Sequence, residues 1–233
     1  MPANGLPFRS QLSTYLKGAK FALVLLTGLS AGLLSASVDS PTRVITGEQL
    51  IKAKAKYGPL AEKRMRAWQQ MVDENQGRPE KELLRVVNNF FNQVRFTSDI
   101  QHWGKKDYWA TPIEFLGTDA GDCEDFVIAK YFTLKALGVP EEKLYLTYVK
   151  AVRLKQAHMV LTYFETPRSI PLVLDNINPR ILQATKRKDL VPIYSFNGDG
   201  LWLSRQRGKG KEVKGGTNKL KQWNSLLKKL QND

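Results

Sequence analysis

The sequence predicts an α+β fold, and three observations carry that reading. Apolar residues recur at helical spacing through the first part of the chain. Runs of β-branched and aromatic residues, bounded by turn residues, fill the second part. The change of period falls at Gly138-Val139-Pro140. Helices first and strands afterwards imply a separate antiparallel sheet. From Thr46 to Asn75 the pattern is helical but interrupted at Gly58-Pro59, which predicts two short helices. "RPEKELLRVVNNFFNQVRF" spaces Leu83, Leu84, Val87, Phe90, Phe91 and Val94 as one buried helix face. "FTSDIQHWGKKDYWATPIEFLG" reads as a long ordered loop with a short helix. Asp122 to Leu137 is helical again and stops at the Gly-Val-Pro signal. "KLYLTYVKAV", "AHMVLTYFE" and "PLVLDN" follow as strands, and "VPIYSFNGDGLWLS" as a hairpin around Asn197 to Gly200. The end of the chain predicts an amphipathic helix with Leu220, Trp223, Leu227 and Leu230 on one side.

Composition narrows the setting. None of the first 38 residues is acidic, and basic residues precede the apolar run Phe21 to Leu34, which small residues follow. This pattern is that of a signal peptide over 1–37, cleaved after Ser37 or kept as an anchor. The run is shorter than the ~20 residues a membrane span needs. A single domain over 38–233, located outside the cytoplasm, is expected. The net charge is +14, and residues 204–233 contribute +7 of it. Such a surface favours acidic partners. No nucleic-acid-binding motif is present and the basic residues gather in one tail, so nucleic acid is not expected among them.

Chemistry centres on the only cysteine, Cys123, set between Asp122 and Glu124 with Asp125 one residue further on. Three carboxylates oppose thiolate formation, so the neighbourhood needs a reason. One is structural: Asp122 as a helix N-cap, Glu124 and Asp125 as favourable charge in the first turn. The other is chemical. A cysteine at a helix N-terminus has its thiolate stabilised by the helix dipole and unpaired amides, and the same amides bind an oxyanion. Two histidines exist. His102, in the aromatic loop, reads as a surface or hydrogen-bonded structural residue. His158 lies in a predicted strand, and Asp175 ends the next one, where a carboxylate is costly unless paired. If "ETPR" forms the turn between those strands, paired positions sum to 333 and His158 faces Asp175 directly. Cys123, His158 and Asp175 then supply a nucleophile, a base and an orienting carboxylate. On these residues alone, a catalytic site and an inert thiol both stand.

The segments "YWATPIEFLGTDAGDCEDF", "AHMVLTY" and "LVLDN" resemble the bacterial transglutaminase-like cysteine proteinases, specifically the periplasmic LapG group, over roughly Gly47 to Leu230. The resemblance implies a papain/transglutaminase-like fold, with N-terminal helices and a catalytic helix packed on an antiparallel β-sheet. It implies Cys123 as nucleophile, His158 as general base and Asp175 as orienting residue. It implies Ca²⁺ held by Asp122 and Glu124, hard oxygen ligands that suit this ion. It further implies a periplasmic protease that cuts the N-terminal region of a large surface adhesin beside an Ala-Ala pair. Release of the adhesin disperses biofilm, and an inner-membrane LapD-type cyclic-di-GMP receptor sequesters the enzyme. A monomer is expected.

Two other functions fit the same residues. An acyl-enzyme resolved by an amine gives protein cross-linking, or transfer on cell-wall peptide. A non-catalytic module would use the basic, Trp-bearing tail to dock an acidic partner. The loop Trp103 to Phe115 either walls a substrate cleft, with the Trp109 indole assisting the oxyanion hole, or fills the core beneath the catalytic helix.

Overall fold

One helix carries the architecture, and its sequence explains why. In the computed structural model, which describes residues 42–203 and 210–233, the segment Cys123–Ala136 is a helix with ten of its fourteen residues buried. It is apolar on nearly every side, the signature of a helix enclosed by other elements. Its buried charges are Glu124 and Asp125 in the first turn and Lys130, a lysine fully buried between Ala129 and Tyr131. Numbered in chain order, the helices are α1 (Gly47–Tyr57), α2 (Pro59–Asp73), α3 (Glu80–Phe91), α4 (Asp99–His102), α5 (Pro112–Thr118), α6 (Cys123–Ala136) and α7 (Lys221–Asn232). Gly58, at φ 87°, separates α1 from α2 in a backbone conformation that glycine adopts without strain, and Pro59 opens α2.

The strands are β1 (Arg95–Phe96), β2 (Ala120–Gly121), β3 (Leu144–Ala151), β4 (Gln156–Tyr163), β5 (Leu172–Leu174), β6 (Leu182–Gln183), β7 (Leu190–Phe196) and β8 (Leu201–Leu203). The main sheet is antiparallel in the order β6-β5-β4-β3-β7-β8. The predicted hairpin is β7–β8. Leu144, Leu146, Met159, Leu161, Leu174 and Phe196 join Val127, Ile128, Tyr131 and Leu134 of α6 in the main core. The opposite face of the sheet carries Val149, Val160 and Val173, and an aromatic group of Tyr145, Phe164 and Trp202.

Three local expectations are corrected. Val94 lies past the end of α3, which stops at Phe91, although Val94 is still buried. The aromatic loop holds two short helices, α4 and α5, and is closed by a small parallel pair, β1 with β2. The β4–β5 register is Thr162↔Val173, a sum of 335 and not 333. The connection is longer than four residues because Pro167 and Pro171 cannot donate into a ladder, and Thr166 and Ser169 close a turn instead. A slip of two residues preserves side-chain faces, so His158 and Asp175 become diagonal neighbours and stay within reach.

Residues Pro41–Asp233 form one compact unit. The C-terminal segment belongs to it: Trp223 is 1% exposed and packs against Tyr131, Phe132 and Phe196. No helix among the described residues is long and apolar enough to cross a membrane. The predicted signal peptide, 1–37, lies outside the described residues.

Candidate active site

Asp122 occupies the N-cap position of α6, and Cys123 is the first helical residue. This puts the sulfur at the positive end of the helix. The thiol nonetheless donates to Glu124 Oε2 at 3.1 Å. Burial pushes the Cys123 thiol up, and the carboxylates of Glu124 and Asp122 push it further, against the Met159 main-chain N–H. That amide belongs to the residue after His158, so the sulfur meets β4 beside the imidazole.

His158 and Asp175 are brought together. Nε2 of His158 bonds Asp175 Oδ1 at 2.9 Å, with both side chains buried, which leaves Nδ1 as the nitrogen for proton exchange. Asp175 is well satisfied: the Ile177 amide also donates to Oδ1 at 2.9 Å, and Arg187 Nη2 reaches Oδ2 at 2.7 Å. Burial works against its ionisation. His158, the Ile177 amide and Arg187 outweigh that effect and bring the carboxyl down to about 2.

A second arrangement holds the main chain of Asp175. Asn92, the C-cap residue of α3, donates to the Asp175 carbonyl at 2.9 Å, and Asn88 within the helix to that of Pro179 at 3.0 Å. Both asparagine side-chain oxygens accept from Lys130 Nζ, at 2.9 and 2.6 Å. Burial brings this ammonium down to about 7, with the Asp175 charge acting in the other direction. The catalytic-helix candidate and the Asp175 loop are therefore tied through α3.

The acidic neighbourhood is larger than the sequence suggests. Ligand atoms of Asp99, Asp107 and Glu124 lie within 4.8 Å of one another, and the same holds for Asp99, Asp122 and Asp125. Asp99 Oδ1 and Asp122 Oδ1 are buried with no hydrogen-bond partner. Burial, then Glu124 and Asp107, pushes Asp122 up to about 8. Burial, with Asp122 and Asp107 adding to it, pushes Asp99 up to about 6. Orphaned carboxylate oxygens this close together are costly unless a cation shares them. An all-oxygen donor set of this kind suits Ca²⁺. Asp99, Asp107, Asp122 and Glu124 are the side chains placed to hold it. Asp125 is otherwise engaged, accepting from the amides of Ala110 at 2.7 Å and Asp122 at 3.3 Å.

The remaining candidates resolve simply. His102 bonds Thr118 Oγ1 at 2.9 Å, the structural role expected of it. The Trp109 indole N–H donates to Asp107 at 3.0 Å and its ring stacks on Phe196, so it is not aimed at an oxyanion. Phe115 is fully buried against Phe91 and Phe126 and belongs to the core. A cavity of about 390 Å³ opens on the sheet face bearing Thr147, Val160 and Thr162; its walls include Arg187 but none of Cys123, His158 or Asp175.

Sequence reasoning missed Asp99, Asp107, Lys130, Asn92 and Arg187. Lys130 carried a signal, a cation inside an apolar helical run. Arg187 sits within Lys186-Arg187-Lys188, which reads as a solvated basic run.

No curated protein matches this chain. Among solved structures, LapG of Legionella pneumophila is 42% identical with a TM-score of 0.69, covering 80% of this chain and 98% of that one. The calcium-bound form of that protein matches at the same identity and TM-score, covering 99% of its own length, and an EGTA-treated form matches as well. The family model of bacterial transglutaminase-like cysteine proteinases (BTLCP) matches residues 61–204. With that match spanning more than half of its length, the chain belongs to the bacterial transglutaminase-like cysteine proteinases.

Proposed function

We propose that this protein is a periplasmic, calcium-dependent cysteine endopeptidase of the LapG type. Its substrate is the N-terminal region of a large surface adhesin, cut beside an Ala-Ala pair, with release of the adhesin and dispersal of biofilm. A LapD-type cyclic-di-GMP receptor of the inner membrane is the partner that sequesters it. The observation that supports this reading most is the buried His158–Asp175 pair, 2.9 Å apart, next to the single thiol at the start of α6. The acidic set around Cys123 supports the calcium dependence, as does the existence of calcium-bound and EGTA-treated forms of the Legionella protein.

The residues divide the chemistry as follows. His158 Nδ1 accepts the Cys123 proton, and Asp175 fixes the ring through Nε2 and stabilises the imidazolium. The sulfur attacks the peptide carbonyl, and the amides at the α6 N-terminus stabilise the oxyanion. His158 returns the proton to the departing amine, then activates the water that hydrolyses the thioester. A Ca²⁺ held by Asp99, Asp107, Asp122 and Glu124 supplies positive charge where these acids would oppose the thiolate. Glu124 cannot serve a cation and the thiol proton with the same oxygen. The test is cleavage of a purified adhesin N-terminal region with and without chelator. Calcium-restored cutting beside Ala-Ala is expected, and full cutting in excess chelator would exclude the calcium role.

A further inference from the structure

We propose that Arg187 is a positioning residue for the candidate catalytic carboxylate: its guanidinium fixes Asp175 in the orientation that serves His158 and cancels its charge. The inference deepens the triad reading above and rests on it. Arg187 follows the 3-10 turn Ala184–Lys186 and is 3% exposed. Nη2 meets Asp175 Oδ2 at 2.7 Å, on the oxygen that His158 does not use. The guanidinium is itself held by Asp189, Nε to Oδ1 at 3.0 Å and Nη2 to Oδ2 at 2.7 Å. This planar two-toothed grip sets the direction of Nη2, which a lysine cannot reproduce. Asp189 is 32% exposed, so the anchor lies at the surface and the working end is inside.

The charges facing Asp175 are few. His158 comes from β4, and Arg187 and Asp189 come from the connection between β6 and β7. Lys130 comes from α6, tied to the Asp175 carbonyl through Asn92. Removing the Arg187 charge leaves the buried His158–Asp175 pair more negative, and the pair must then take up its proton at a higher pH. Both residues of the pair respond in that direction, so the sign does not depend on which of them holds the proton. A guanidinium acting only as a staple between residues 175 and 189 would still shift that midpoint by its charge, but its loss would leave kcat of the folded variant unchanged.

The experiment uses the chain's two histidines. Their ring-nitrogen NMR signals are titrated in the Cys123→Ala background, with His102 as internal control, for the parent, Arg187→Met, Arg187→Lys and Asp189→Asn. In Arg187→Met the His158 midpoint is expected to rise by about one pH unit or more, and in the active enzyme kcat to fall about 100-fold with KM little changed. Arg187→Lys is expected to return the midpoint toward the parent while kcat recovers only in part. Should Arg187→Met fail to fold, Asp189→Asn carries the test: it loosens the grip that aims the guanidinium, so kcat should fall with the fold intact and KM little changed. An unchanged kcat in the folded variants, or an unchanged midpoint in Arg187→Met, overturns the proposal. Asp175→Asn is assayed alongside: wild-type cleavage by that variant sinks the triad reading itself. Impaired Asp175→Asn beside wild-type Arg187→Met sinks only the role of Arg187.

Discussion

At the scale of single residues, the thiol and its bound acids set the sharpest expectations. Folded Cys123→Ala should cleave nothing, and His158→Ala should be nearly as inactive, since among the described residues no other base is paired to a buried carboxylate beside the thiol. Asp175→Asn should keep a small activity, because in the proposed triad Asp175 orients the imidazole and transfers no proton. For the metal, Asp99→Asn and Asp122→Ala are expected to mimic chelation, with Mg²⁺ a poor substitute because it gives up its waters reluctantly. A thermal melt reads this independently of activity: Ca²⁺ at 100 times its Kd should add about 2.7 kcal/mol to the parent and little to either variant. Equal calcium shifts in all three would exclude the assigned ligands. Cys123, Asp122 and Glu124 were legible in the sequence because they are contiguous. Asp99 was not, because it reaches the site only when the loop after α3 folds back and β1 pairs with β2. Asp125, adjacent in sequence, turned inward to satisfy the Ala110 and Asp122 amides.

Elements decide how the reacting groups stay aligned. The long buried helix was readable from its apolar run, and its start from Asp122. The pairing of β4 with β5 was readable only in its parity. Alternation fixes which face a residue takes, but the number of residues in a proline-containing turn sets the register, and Phe164 continues β4 by bonding the Lys143 carbonyl at 2.8 Å. The diagonal His158–Asp175 contact survives because a two-residue slip does not exchange faces. The network from Lys130 through Asn92 to the Asp175 carbonyl is what no local pattern reveals. Asn92→Ala removes that tether and one acceptor of a buried ammonium. A loss of about 1–3 kcal/mol is expected, together with a several-fold drop in kcat of the folded enzyme. Denaturant melts and kinetics on the same preparation check both. Lost stability with unchanged kcat would make the network scaffolding alone.

For the whole molecule, the tail and the acid limit are informative. The reading of a basic, Trp-bearing tail that docks an acidic partner loses its tryptophan, because Trp223 is buried among Tyr131, Phe132 and Phe196. Trp223→Ala should therefore cost about 3–5 kcal/mol, measured by urea unfolding. A loss near zero would restore the module. Asp175 lies at about 2 in the folded protein against an ordinary 3.8. Because the folded value is the lower one, its stabilisation is complete above pH ~4 and drains as the pH falls toward 2, about 2 kcal/mol in all. Stability curves of the parent and Asp175→Asn should converge in that window. The order of the long helices and the main sheet was legible, because it follows from periodicity; the short β1–β2 pair and the joining of tail to core were not, because they depend on contacts distant in sequence. The most direct test of the central claim is incubation with the N-terminal region of a large adhesin from the same genome, with mass-spectrometric mapping of the cut. One cut beside an Ala-Ala pair is expected in calcium, absent with chelator and absent with folded Cys123→Ala. The same cut made by folded Cys123→Ala would contradict it.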